Sequence, residues 1–172
     1  MAYAVAFGNF RASRGQAMVR ALTEAEGNVV LWLSSHQGVR VGLYEVTETQ
    51  FAKGLVDANE TIRSSFAATG FHDYEQQPAG QEAKRLVDVQ VLGAQGLHRT
   101  SLSLYRPETK QGVFYRLWIY RFKEVLPHSR AGDVVAIAQD GHRCAVVNLT
   151  SFELTIEGQA ELRELFNRNE EF

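Results

Sequence analysis

The sequence predicts an α+β fold, mainly β, in which an antiparallel or mixed sheet or barrel carries inserted helices and a C-terminal helix. Short runs of β-branched and aromatic residues recur between turn residues, the mark of strands. Asp140-Gly141, set between two apolar runs, is the strongest short hairpin signal in the chain. Helical periodicities fall between and after these runs rather than alternating with them.

Taken in order, residues 3–8 (Tyr-Ala-Val-Ala-Phe-Gly) form a short strand, followed by a polar loop over 9–15 that carries Arg11 and Arg14. Residues 16–26 predict a helix with Met18, Val19 and Leu22 as its apolar stripe, stopped by Gly27-Asn28. The apolar run 29–33 predicts a buried strand, and 39–46, which alternates, its partner. Between them lies a polar loop, residues 34–38, with Ser34, Ser35, His36 and Gln37 fit for base or phosphate contacts. Thr47 followed by Gln50 is a capping box, and Phe51, Leu55, Ile62 and Phe66 supply a helical apolar face as far as Gly70. Asn59 leaves one long helix or two short ones open. Residues 72–81 are a polar loop, and 85–92 a strand.

Residues 100–106 and 113–120 then predict a hairpin around the turn Pro107-Glu-Thr-Lys-Gln-Gly112. Side chains alternate along a strand, so Phe114, Arg116, Trp118 and Tyr120 share one face of its second half. The turn offers Glu108, Thr109, Lys110 and Gln111, with no apolar member. Residues 133–138 and 143–149 are two more strands, and 157–167 an amphipathic helix with Leu162, Leu165 and Phe166 on its apolar side.

Charge is unevenly spread. The chain of 172 residues has a formal net charge of −2, yet residues 99–130 hold seven bases (Arg99, Arg106, Lys110, Arg116, Arg121, Lys123, Arg130) against Glu108 and Glu124. Residues 45–98 and 131–172 are acidic. An acidic body with one basic limb suits a specific contact better than indiscriminate coating of nucleic acid. Length and an apolar content of 45% fit one domain spanning 1–172. With neither a long apolar run nor a signal-like N-terminus, a cytoplasmic setting away from membranes is expected. The single Cys144 sits in an apolar run and is expected to be buried and inert.

The tract Leu102-Ser-Leu-Tyr-Arg-Pro, then Tyr115-Arg-Leu-Trp-Ile-Tyr, then Gly132-Asp-Val-Val-Ala-Ile and Ala145-Val-Val-Asn-Leu-Thr resembles the N-terminal specificity domain of EcoRII-type restriction endonucleases. Ser35-His-Gln37 followed by Val41-Gly-Leu-Tyr44 resembles that family's N-terminal arm and the strand leaving it. The resemblance spans residues 29–150. It implies a DNA-binding pseudobarrel shared with the plant B-three domain, in which two arms grip the major groove of double-stranded DNA. The turn here is shorter than the family's and carries fewer cations, so the target sequence does not carry over.

On this reading the domain is not catalytic, needs no cofactor or metal, and partners a separate nuclease domain or subunit. Arg116 and Lys110 would donate to guanine, Gln111 and Gln37 pair with adenine, and Glu108 accept from cytosine. Arg11, Arg40, Arg106, Arg121, Ser34 and Ser35 would hold phosphates. Arg14, His36, Thr109 and Tyr115 complete the DNA-binding set. Two alternatives stand beside it. Asp73, Glu82 and Lys84 faintly resemble the metal site of nucleases, though solvated charges explain them. The Trp118/Tyr120 strand could instead serve a protein-interaction module.

Overall fold

Thr23 and Glu26 set the start of the first helix in the computed structural model, which describes residues 19–93, 96–108, 115–151 and 156–167. The Glu26 N–H donates to Thr23 Oγ1 at 3.2 Å while the Thr23 N–H donates to Glu26 Oε2 at 2.8 Å, a reciprocal capping box. Helix α1 (Glu24–Ser34) therefore runs through the apolar stretch expected to be a strand, and the expected helix over 16–26 is not formed in its described part before Glu24. Five apolar residues in a row fit a helix as well as a strand, and packing decides: Leu33 is fully buried while Leu31 is 57% exposed. Gly27 did not stop the helix because capping and burial outweigh roughly 1 kcal/mol of lost helix propensity. The strand expected over 3–8 lies outside the described residues.

Strand β1 (Arg40–Glu45) follows, and it pairs antiparallel with β6 (Val134–Gln139) rather than with residues 29–33. Thr47 caps α2 (Glu48–Lys53) as expected, with the Gln50 N–H donating to Thr47 Oγ1 at 3.2 Å. Gly54, left-handed at φ 66°, then stops the helix. Leu55, expected on a helical face, instead begins strand β2 (Leu55–Asp57). Asn59 caps a second helix, α3 (Glu60–Thr69), by accepting from the Ile62 N–H at 3.1 Å. Strands β3 (Arg85–Gly93), β4 (Gly96–Tyr105), β5 (Arg116–Ile119) and β7 (Cys144–Asn148) complete the sheet. A short helix α4 (Phe122–Val125) follows β5, and α5 (Ile156–Asn167) closes the described chain.

The seven strands form one nearly closed, barrel-like sheet in the order β1-β6-β7-β3-β4-β5-β2. All neighbours are antiparallel except β3 and β7, so the fold is mixed α+β and mainly β. Alternation divides each strand between two cores. Val89, Val91, Leu102, Leu104, Leu117, Ile119, Ile137 and Val146 point into the barrel against Ile62, Phe66 and Phe71. Ala136, Ala138, Ala145 and Val147 point outward, under Leu33 of α1 and Leu162 and Phe166 of α5. Every residue of β6 and β7 is buried, as expected of strands covered on both faces.

The seam between the edge strands β1 and β2 is closed by α3. The outward-facing backbone of Leu43 on β1 is satisfied by side chains: its N–H donates to Thr61 Oγ1 at 3.0 Å, and its carbonyl accepts from Asn59 Nδ2 at 2.7 Å. The free edge of β1 is thus capped rather than left to pair with another chain. Gly42 permits the close approach, since a Cβ there would lie 2.7 Å from the Ile62 Cα.

Candidate nucleic-acid interface

Strand direction and register decide which loops share an end of the barrel. Arg40 pairs with Gln139 and Gln139 with Cys144, while Tyr105 pairs with Arg116 and Arg116 with Asp57. Parallel pairing of β3 with β7 puts Arg85 at the same end as Cys144. One end of the barrel therefore carries the loop 34–39, the turn at Asp140-Gly141, the segment before β3 and the connection between β4 and β5. We call it the arm end. The opposite end carries Glu45, Gly54 and Arg121.

The loop before β1 is built by the end of α1. Ser34, Ser35 and Gln37 are exposed, although Ser35 Oγ is bound to the Trp32 carbonyl at 2.7 Å. His36 departs from its expected role. It is buried, its Nδ1 lies 3.0 Å from the Trp32 carbonyl and 3.2 Å from that of Leu33, and its ring packs on Trp32 and Phe166. Its polar edge is spent on terminating α1. Arg40 is exposed and makes no ion pair among the described residues.

The root of the second arm is fixed by Tyr115. Its hydroxyl donates to Glu75 Oε1 at 2.5 Å, and its ring carries the Arg63 guanidinium at 4.6 Å and that of Arg106 at 6.0 Å. Burial, then the Glu75 carboxylate, pushes the Tyr115 hydroxyl above its ordinary value, so it stays a donor. Tyr115 accordingly acts as an anchor for the arm, with its hydroxyl already occupied. Arg106 holds the other side of the root, its carbonyl accepting from the Gly80 N–H at 2.8 Å. Glu108 is exposed beside Gly80. Of the expected strand 113–120, residues 113 and 114 lie outside the described residues, and β5 covers Arg116–Ile119, without Tyr115 and Tyr120. Arg116 is half-buried, its carbonyl accepts from the Tyr74 hydroxyl at 3.1 Å, and its buried Nε has no hydrogen-bond partner among the described residues. Arg11, Arg14, Thr109, Lys110 and Gln111 lie outside the described residues.

Arg121 stands apart from the other candidates. It sits at the opposite end of the barrel, where its side chain bonds Glu124. The structure adds residues that periodicity did not single out at the arm end. Arg63 comes from the polar side of α3, and Arg85 donates to the Phe71 carbonyl and lies beside a buried His72. Burial pulls the His72 pKa down, favouring the neutral ring. Asp140 pairs with Arg143 and accepts the His142 and Arg143 N–H groups at 3.1 and 2.8 Å, so its charge is turned inward. Spacing carries no sign of the Arg85–Phe71 contact, whose partners lie 14 residues apart.

Asp73, Glu82 and Lys84 are dispersed in their bonding. Asp73 accepts the Glu75 N–H, Glu82 is exposed in the turn Gln81–Ala83, and Lys84 lies 5.3 Å over the Tyr105 ring. Among the described residues no group of three or more His, Cys, Asp and Glu is placed to hold a metal ion. No helix among them is long and apolar enough to cross a membrane. Cys144 is buried and unpaired. No protein-family model, curated protein or solved structure matches the chain.

Proposed function

We propose that the chain is a sequence-specific reader of double-stranded DNA, a B-three-like pseudobarrel that serves a separate nuclease as its target-recognition module. One observation carries the reading: strand register brings the loop 34–39 and the β4–β5 connection to one end of the barrel. Only β2 and the α3 seam separate β5 from β1. Two connections leaving the same end can enter one major groove together, the groove being about 12 Å wide. Arg40, Arg106 and Arg116 border this end, with Ser34, Ser35 and Gln37 exposed on one arm and Glu108 on the other.

In this scheme the anchored root makes the arm a reader rather than a tether. Tyr115, clamped by Glu75, Arg63 and Arg106, fixes the point at which the connection rejoins the barrel. Arg116 presents a fork suited to guanine O6 and N7, while Arg40 and Arg106 hold phosphates. Hydrolysis is left to the partner. The test is binding to a short duplex across a salt series. Four to six phosphate contacts give a slope of about −3.6 to −5.4 in log affinity against log salt. A flat response removes the duplex reading and favours a protein interface on the Trp118/Tyr120 strand.

A further inference from the structure

The opposite end of the barrel carries a second, separate cluster of cations and rings. Between α2 and α4 lies a cavity of about 210 Å³ lined by Phe51, Lys53, Gly54, Trp118, Arg121 and Lys123, among others. Gly54 keeps it open, because a Cβ there would sit 3.1 Å from the Ile119 carbonyl oxygen and 3.6 Å from Trp118 Nε1. Arg121 adopts a left-handed backbone (φ 55°), the sole described non-glycine residue with positive φ, which ends β5 and turns the chain into α4. Glu124 is the one carboxylate lining the cavity among the described residues, and it is engaged by Arg121. Lys53 and Lys123 are exposed and have no ion pair among the described residues. Lys123 Nζ lies 5.2 Å from the Phe51 ring centre. The site thus holds two uncompensated cations in a chain whose net charge is −2.

Its wall continues onto the outer face of β5. Trp118 and Tyr120 are stacked there, their centroids 6.3 Å apart and their planes 17° from parallel, with Tyr120 38% exposed. Size decides what can bind. Pockets that enclose a whole small molecule measure roughly 300–1,000 Å³. A cavity of 210 Å³ therefore holds one group of a larger ligand whose remainder lies on the surface, over the rings. An anionic group in the cavity and flat groups on the aromatic pair are the two halves of a nucleotide.

We propose that this cleft and the Trp118–Tyr120 pair bind single-stranded nucleic acid, with a phosphate against Lys53 and Lys123 and a base stacked on the rings. A duplex does not fit the description, since its base faces are already stacked on each other; a single strand leaves them free. The proposal uses other residues than the duplex-reading arms and stands without them.

The test is fluorescence anisotropy of the full chain with a labelled oligothymidylate about 12 nucleotides long, within the roughly 4–16 nucleotides a single-strand site covers. Trp118→Leu is expected to weaken binding roughly 5- to 150-fold. Because that change could also disturb the sheet, the surface variant Lys53→Gln/Lys123→Gln is measured beside it. Losing two phosphate contacts should reduce the magnitude of the log–log salt slope by about 1.4. The proposal is overturned if the oligonucleotide does not bind at low salt, or if the double-lysine variant keeps the wild-type slope. It is also overturned if thymidine monophosphate competes as well as the strand, since that would mark a pocket for free nucleotide.

Discussion

Among the described residues the buried Arg116 Nε meets no acceptor, so replacing the residue should move stability and binding in opposite directions. A buried polar group without a partner costs about 1–3 kcal/mol, more when it belongs to a charged side chain. Arg116→Met removes Nε while keeping most of the apolar stem, so little packing is lost. The backbone bond from the Tyr74 hydroxyl to the residue 116 carbonyl is untouched. We therefore expect the variant to be as stable as the parent or up to about 2 kcal/mol more stable, from relief of that penalty. In a chain of this size each kcal/mol moves the thermal midpoint by about 2–4 °C. On the preferred duplex the same variant should lose about 1–3 kcal/mol of binding, the discrimination supplied by one bidentate arginine–guanine pair. On random DNA the loss should be far smaller. Urea titration gives the first quantity and anisotropy with two labelled duplexes the second. A variant destabilised by more than about 1 kcal/mol would show that Arg116 is structural. Equal weakening on both duplexes would make it a phosphate clamp.

Other expectations concern the seam, the N-terminal cap and the chemistry. Gly42→Ala drives a methyl group to within 2.7 Å of the Ile62 Cα and should cost about 1–3 kcal/mol in chemical denaturation, since backbone must move to admit it. Glu26, held by Arg20 at 2.6 Å and by Thr150, has its carboxyl pulled from 4.5 down to about 2. Its stabilising effect is complete above pH 4.5 and disappears as pH falls through about 2. Glu26→Gln should lower stability by about 1.5–3 kcal/mol at neutral pH, with the gap from wild type shrinking below pH 4.5. With Mg²⁺ or Mn²⁺ the chain should cut no duplex; cleavage abolished by Glu82→Ala would establish an enzyme instead.

Local chemistry made much of the fold legible. The Thr47 capping box, the Asp140-Gly141 hairpin, strand β3 and the final helix all lie where spacing and turn residues place them, because each signal is confined to a few neighbours. Residues 29–33 were misread because an unbroken apolar run has no period, and the deciding cap at Thr23 and Glu26 lies just upstream of Gly27. The break at Gly54 was also visible only as a glycine inside an apolar helical pattern, whereas its left-handed conformation defines the end of α2. Pairing partners were beyond reach. That β1 joins β6, and that β3 runs parallel to β7, depends on contacts distant in sequence. The site shows the same division. Alternation correctly put Arg116 and Trp118 on the face opposite the inward-pointing Leu117 and Ile119. It could not tell that His36 turns inward to end α1, that Glu75 claims the Tyr115 hydroxyl, or that Arg121 belongs to the other end of the barrel.

The most direct test of DNA reading is selection of bound duplexes from a randomised pool by the full chain, followed by sequencing of the retained fraction at near-physiological salt. The account predicts a short enriched motif that tightens over successive rounds. It also predicts that a pool selected with Arg116→Met loses preference at one base pair, while the remaining positions persist. Retention of duplex without any enriched motif, or enrichment identical for the parent and Arg116→Met, would contradict recognition through the arm end of the barrel.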